Sequence, residues 1–276
     1  MNSAKFWSVL EKGHYPFRAW PRGACASLLF CGCSFMSQYP RTTDALVEVC
    51  RAQGCGVAYD CCGLPVDGFG ERRLAARVMD ATLARVRAVG CDEVVFVCPN
   101  CMAYLAPRLQ GQGVRSVTIY EKLAQWGFDP AVGELGPGVL FTPCPDRRRL
   151  DWRRDIERVV SLDGLVPLAK APCCGLMPKI AAQGPERVRE LDDRIFAAAE
   201  GRALYTYCAS CAGQFARAGY RAPVVHVLAA LLGTDEAPDA AHAIANRARR
   251  AFDRRLEPCA VPAVREGGRG EGGVSR

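Results

Sequence analysis

The sequence predicts an α/β protein: two tandem, pseudo-symmetric α/β domains with short parallel sheets flanked by helices. Three observations lead there. A five-cysteine pattern occurs twice with matched spacing, and short apolar runs alternate with amphipathic stretches in both halves. The length of 276 residues, with 50% hydrophobic and 24% charged residues, suits two domains of about 100 to 150 residues each. Each pattern is a single Cys, then Cys-Cys-Gly, then Cys-x-x-Cys. The first comprises Cys33, Cys61-Cys62-Gly63 and Cys98-Pro99-Asn100-Cys101; the second comprises Cys144, Cys173-Cys174-Gly175 and Cys208-Ala209-Ser210-Cys211. Between Cys33 and Cys61 lie 27 residues, against 28 between Cys144 and Cys173; between Cys62 and Cys98 lie 35, against 33 between Cys174 and Cys208.

In chain order, residues 1–26 are an N-terminal extension without an apolar core. The first domain, 27–134, opens with a buried strand at Ser27 to Cys31, followed by a helix at Thr43 to Ala52 and a strand at Val57 to Tyr59. A long amphipathic helix over Glu71 to Val89 and a strand at Glu93 to Val97 complete that pattern. Gly133 to Gly138, with Pro137, reads as the linker. The second domain, 138–235, repeats the order: strand Val139 to Thr142, helix Trp152 to Val160, strand Val166 to Leu168, helix Pro185 to Glu200, strand Ala203 to Tyr207. A helix follows each Cys-x-x-Cys. A further strand and helix close each half, at Val117 to Trp126 and at Val224 to Leu232. Residues 236–276 form a basic tail, helical at first and disordered over the Gly-rich Gly267 to Arg276.

Strands separated by helices imply parallel pairing. All ten patterned cysteines then fall at or just after the C-terminal ends of strands, the edge where open α/β sheets gather ligands. Three loops per half converge on one site.

No apolar stretch approaches the ~18 residues of a membrane helix, and no signal-peptide core is present, so the chain reads as cytoplasmic. In a reducing compartment, clustered thiols are metal ligands or redox groups more often than structural disulfides. The net charge of +7 draws on Arg247, Arg249, Arg250, Arg254 and Arg255. A solvated basic helix accounts for that run without nucleic acid, and a docking surface for an acidic redox partner is the more useful expectation.

A Cys-x-x-Cys pair alone fits half a zinc site or a redox dithiol. Each set here offers five thiols, two of them adjacent, where zinc needs four in a compact tetrahedron. Neighbouring cysteines more readily ligate different metals of a larger cluster. The preferred reading is iron–sulfur, with zinc and disulfides or free thiols as alternatives. Gly63 and Gly175 are expected to permit backbone conformations closed to other residues and close approach to a cofactor. Cys101 and Cys211 are expected to begin helices, where free N–H groups favour a thiolate.

This twofold pattern, from about Leu28 to Leu232, resembles the cysteine-rich CCG-domain family, and two tandem copies without other modules look like the CCG-domain subunit of heterodisulfide reductase. Gly32-Cys33 with Gln38-Tyr39-Pro40 resembles the family's opening motif, and Val225-His226-Val227 its closing segment. The resemblance implies two non-cubane [4Fe-4S] clusters. Cys33, Cys61, Cys62, Cys98 and Cys101 would hold one; Cys144, Cys173, Cys174, Cys208 and Cys211 would hold the other, with Cys62 and Cys174 central to catalysis. It further implies homolytic cleavage of a disulfide, each half capturing one sulfur at an iron, and a separate ferredoxin-like or cubane iron–sulfur subunit as electron donor. The Thr142-Pro143-Cys144-Pro145-Asp146 segment departs from the acidic and His residues that many relatives carry there.

The same resemblance leaves a second function open, electron relay in a lactate, glycolate or glycerol-3-phosphate oxidation complex; a zinc-binding interaction module is a third. Arg147, Arg148, Arg149, Arg153 and Arg154 follow Cys144. They are expected to form a solvated or partner-facing surface, with a small anionic thiol or disulfide beside the second cluster as the alternative. Lys179 invites the same idea. His226 is expected to be half-buried and satisfied rather than a ligand. Cys25, Cys50, Cys55, Cys91 and Cys259 follow no repeat, with Cys50 and Cys91 as small buried hydrophobes. Cys31 competes with Cys33 as first ligand.

Overall fold

The computed structural model describes residues 3–169 and 171–259. After helix α1 (Ser3–His14), the first half runs β1 (Ser27–Phe30), α2 (Cys33–Gln38), α3 (Pro40–Ala52), β2 (Cys55–Ala58), α4 (Leu64–Gly68), α5 (Arg72–Val89), β3 (Glu93–Phe96), α6 (Pro99–Gln110), β4 (Arg115–Thr118) and α7 (Ile119–Gln125). The second runs β5 (Gly138–Phe141), a single 3₁₀ turn (Cys144–Asp146), α8 (Asp151–Glu157), β6 (Leu165–Pro167), α9 (Pro178–Ala181), α10 (Pro185–Ala199), β7 (Leu204–Thr206), α11 (Ala209–Arg217), β8 (Val224–His226) and α12 (Val227–Leu231), with α13 (Ala243–Arg250) beyond it.

Each half holds one four-stranded, all-parallel sheet, in the order β2-β1-β3-β4 and β6-β5-β7-β8. The two topologies are identical. Strands β1, β2, β3 and β5 are buried along their whole length, apart from the half-buried Ser27. This is why they read as unbroken apolar runs instead of alternating ones. In both sheets the strand order reverses between the first and third strands. The crevice there is where such sheets leave room for a ligand, and Cys33, Cys98, Cys144 and Cys208 all follow those strands.

The long helix α5 buries Ala75, Val78, Met79, Thr82, Leu83, Val86 and Val89, the stripe expected of an amphipathic helix, and stops at Gly90 in the left-handed conformation (φ 70°). Helix α3 starts three residues earlier than expected because Pro40 sits comfortably in its first turn. The short elements α2, α4, α9 and the 3₁₀ turn lie below the length at which helical periodicity can be read.

The two ends of the chain are not loose. Ala19 bridges Tyr59 beside the edge strand β2, and the Leu256 carbonyl accepts from Val57 N at 2.8 Å. The tail arginines, expected to be solvated, are largely committed within the chain. Arg250 is buried, donates to the Pro40 carbonyl and pairs with Asp44; Arg247 donates to Ser37 and pairs with Glu11; Arg255 pairs with Asp253, Asp44 and Glu48. These three charges tie the tail to α2 and α3, whereas Arg249 and Arg254 of the same run stay exposed. The Gly-rich segment from Gly267 lies outside the described residues.

The halves join reciprocally. Helix α2, which carries Cys33, packs on α11 of the other half, and α6 packs on the 3₁₀ turn that carries Cys144. Thr118 caps α7 and donates to Asp155 across the junction. Glu236 returns from the second half to accept from Arg41 N and Thr42 N at the start of α3. Gly213 admits the Gln38 side chain, whose Cδ would lie 2.6 Å from any Cβ there.

Candidate functional site

All ten patterned thiols meet at the junction. Side-chain interactions link them in an unbroken series: Cys33, Cys61, Cys62, Cys101, Cys98, then Cys208, Cys211, Cys174, Cys173 and Cys144. The series crosses between halves at Cys98 and Cys208. Within it, Cys211 Sγ donates to Cys174 Sγ at 3.3 Å. Beside the crossing, Asn100 Nδ2 points at Cys208 Sγ (3.6 Å) and Ser34 bonds Ser210 at 2.8 Å. Cys33, Cys62, Cys98, Cys101, Cys144, Cys174 and Cys211 line a cleft of about 240 Å³ between the halves.

Cys31, the competitor, lies elsewhere. Both residues stand beyond the end of β1, and the chain turns between them at Gly32 (φ 69°), so that Cys33 opens α2 beside Cys61 whereas Cys31 lies among Arg250, Asp253 and Asp44, away from the series. Two other expectations shift. The helices after each Cys-x-x-Cys begin at Pro99 and Ala209, so Cys98 and Cys208 are the N-cap residues while Cys101 and Cys211 sit inside the first turn. First-turn N–H groups therefore act on Cys98 and Cys208. Gly63 and Gly175 do adopt positive φ (85° and 83°), but the space a side chain would fill belongs to Val78 and Val188 of the long helices. A glycine that does face a sulfur of the series is Gly32 (φ 69°), where a Cβ would lie 3.1 Å from Cys101 Sγ.

Adjoining thiols cannot all ionise, because like charges repel. Hydrogen bonding from Cys101 holds the Cys62 thiol down to about 6, and Cys211 holds Cys208 well below its usual value. Their partners Cys101 and Cys211 are pushed up by Cys62 and Cys174, by burial and by the neighbouring sulfurs. Amide groups of Leu64 and of Gly175, Leu176 and Met177 act on the Cys-Cys thiols. Lys12 and Arg247 offset charge at Cys33, and Arg147 at Cys144. The Tyr15 hydroxyl is buried without a hydrogen-bond partner among the described residues and interacts with Cys33 and Cys61.

These features fit a polynuclear iron–sulfur group: ten sulfurs on two walls, with amides and cations to balance thiolate charge. Among the described residues no group of three or more His, Cys, Asp or Glu side chains is arranged to hold a single metal ion.

The second half anchors its Cys-Cys-Gly loop differently from the first. Buried Asp60, preceding Cys61, accepts from Arg18 Nε (2.7 Å), Trp20 Nε1 (2.8 Å) and Cys61 N (2.7 Å). At the matching place Pro172 offers only a carbonyl, which accepts from Arg147 Nη2 at 2.7 Å. Arg147 also donates to the Thr142 carbonyl and lies over Phe141, so it braces two loops of the site. Arg149 and Arg154 pair with Asp151, and Arg153 with Glu157. None of these arginines lines the cleft, nor does exposed Lys179.

His226 is fully buried, not half-buried. Its Nδ1 accepts from Leu228 N at 3.2 Å, its Nε2 has no hydrogen-bond partner among the described residues, and its ring lies against Phe35 and Tyr39 of the other half. Burial lowers its pKa to about 4. Sequence reading also missed a thiol pair: Cys50 and Cys55, buried beside Lys122 at the opposite end of the first sheet, interact with each other.

A family model described as a cysteine-rich domain, CCG, matches residues 27–106 and again residues 139–216. An alignment that covers 38% of this chain is 29% identical to anaerobic nitric oxide reductase flavorubredoxin of Pectobacterium carotovorum subsp. carotovorum (strain PC1). The match spans only 22% of that relative's length. Among solved structures, glutamate racemase from Thermus thermophilus, in complex with beta-chloro-D-alanine, covers 87% of this chain and 96% of its own at 13% identity. The TM-score is 0.32, and that likeness carries no argument. No helix among the described residues is long and apolar enough to cross a membrane.

Proposed function

Because the chain belongs to the cysteine-rich CCG-domain family, we propose that it is the iron–sulfur catalytic subunit of a heterodisulfide-reductase-like complex. It reduces a disulfide, or oxidises thiols, at two [4Fe-4S] clusters of the non-cubane kind. The observation that carries this reading is the unbroken series of ten thiols crossing between the halves at Cys98 and Cys208. Two sites that meet at one cleft suit a two-electron bond. When bound, the clusters would each supply one electron and an iron to take one sulfur of the cleaved bond.

The chain's own residues do the rest. Cys33, Cys61, Cys62, Cys98 and Cys101 hold one group; Cys144, Cys173, Cys174, Cys208 and Cys211 hold the other. Amides of the loops after Gly63 and Gly175 balance thiolate charge, and Gly32 keeps side-chain bulk away from Cys101. Apolar residues at the mouth exclude water. Cys144 and Cys173 are partly exposed while the first five thiols are buried, which favours substrate entry over simple relay. A separate iron–sulfur subunit delivers the electrons.

The test is metal analysis of anaerobically prepared protein. About eight irons and eight labile sulfides per chain are expected for two such clusters. Cys62→Ala and Cys174→Ala should each remove about half of both. Iron unchanged in both variants would falsify the ligand assignment.

A further inference from the structure

The cleft's composition points to the chemical nature of what enters it. Above the sulfurs its mouth is built from two lips at matching positions of the repeat. Leu64, Pro65 and Phe69 follow the first Cys-Cys-Gly; Leu176 and Met177 follow the second. Helix α4 packs against α9, which brings the lips together. Leu176 and Met177 are each 38% exposed, an unusual position for large apolar side chains with no cover among the described residues.

The polar groups lining the cleft are already engaged. Ser34 and Ser210 bond each other, and Asn100 turns its amide to Cys208. Among the described residues no Asp, Glu, Lys, Arg or His side chain lines the cleft. The arginines that follow Cys144 are spent on backbone carbonyls, Asp151 and Glu157, or, for Arg148, exposed away from it. An anion entering here would lose its water and gain no cation, whereas an alkyl chain would be favoured by removal of apolar surface from water.

We propose that the cleft takes a disulfide or thiol carried on an uncharged aliphatic body, and discriminates against anionic ones. The inference rests on the proposed reaction. There the S–S bond breaks, two electrons from an external one-electron donor and two protons from solvent are taken up, and two thiols leave. The lips hold the alkyl groups so that the sulfurs reach the cleft floor.

Calorimetric titration of the iron-loaded chain with dipropyl disulfide and with the bis-sulfonate disulfide of the same chain length tests it. The neutral compound should bind at least about tenfold more tightly, because the two share the same alkyl chain and only the sulfonate must give up its hydration with no cation beside it. Met177→Lys, at an exposed position, should narrow or reverse the preference. Leu176→Gln, a neutral rim change, should weaken the dipropyl compound without improving the sulfonate. Equal or tighter binding of the sulfonate by the unaltered chain overturns the inference, and so does failure of both to bind. The reaction is judged separately, by whether dithionite-reduced protein converts either disulfide to thiols.

Discussion

In the first half, the edge strand β2 is flanked by Ala19 from the N-terminal extension and Leu256 from the tail, and every one of its five patterned thiols is buried. In the second half, neither of these segments reaches β6 among the described residues. Val166 is 53% exposed, and Cys144 and Cys173 remain partly open. The sheets are otherwise alike, so a shared fold fixes where thiols converge, while the added chain ends decide which side faces solvent. The same holds for the loops that bear the paired cysteines. A buried carboxylate, Asp60, ties the first to Arg18 and Trp20, whereas Arg147 braces the second through backbone carbonyls alone.

Removing Asp60 should break this contrast most. Asp60→Ala leaves Arg18 and the Trp20 N–H without their acceptor and should cost about 3–5 kcal/mol, read by denaturant unfolding. In iron-free protein, Cys33 and Cys61 should then alkylate as fast as Cys144 and Cys173; a persistent lag would show that the extension does not seal the first set.

The next largest effect concerns the strand-end caps, Thr118 in one half and His226 in the other. Burial holds the His226 imidazole neutral in the folded state, with its pKa lowered to about 4. The unfolded chain takes up a proton below about 6.5, so stability is full above that pH and declines as pH falls toward 4, by roughly 3 kcal/mol. His226→Asn keeps a capping oxygen and should flatten that decline, measured by unfolding at pH 7 and pH 5. An unchanged slope would mean that the group does not titrate as its burial implies.

Smaller effects should be equal in the two halves. Gly63→Ala and Gly175→Ala each force a Cβ into the left-handed region and toward a valine, 3.0 Å from Val78 and 2.7 Å from Val188. Each should cost about 1–2 kcal/mol, and a large difference between them would show that the repeats are not equivalent at this turn. Smallest of all, Arg149→Ala removes an exposed pair with Asp151 and should change stability by less than about 0.5 kcal/mol and disulfide binding not at all.

Much of this was legible in one dimension. Matched spacing of the cysteines gave the duplication, and apolar runs between amphipathic stretches gave the parallel sheets. Together they placed the ten thiols at one sheet edge, because loops at the C-terminal ends of parallel strands converge whatever their detailed conformation. Local pattern failed where partners are remote in sequence. Arg250 and Asp44 are 206 residues apart, so three arginines of a run read as solvated, Arg247, Arg250 and Arg255, proved to be paired within the chain. Gly63 and Gly175 have the backbone that their type suggests, yet what fills the space before them is a valine more than ten residues away, on the following helix. For Cys31 and Cys33, the Gly-Cys context favoured Cys33, and the turn of the chain at Gly32 is what sends the two thiols to different surroundings.

The sequence by itself determined the α/β class, the duplication and the thiol inventory, since these follow from periodicity and residue type. Tertiary structure alone decided that the two sets form one series across the junction, that the first is sealed by chain ends, and that the cleft's mouth is apolar and uncharged. Those properties arise from packing between segments far apart in the chain, where burial and hydrogen bonding depend on neighbours that local sequence does not name.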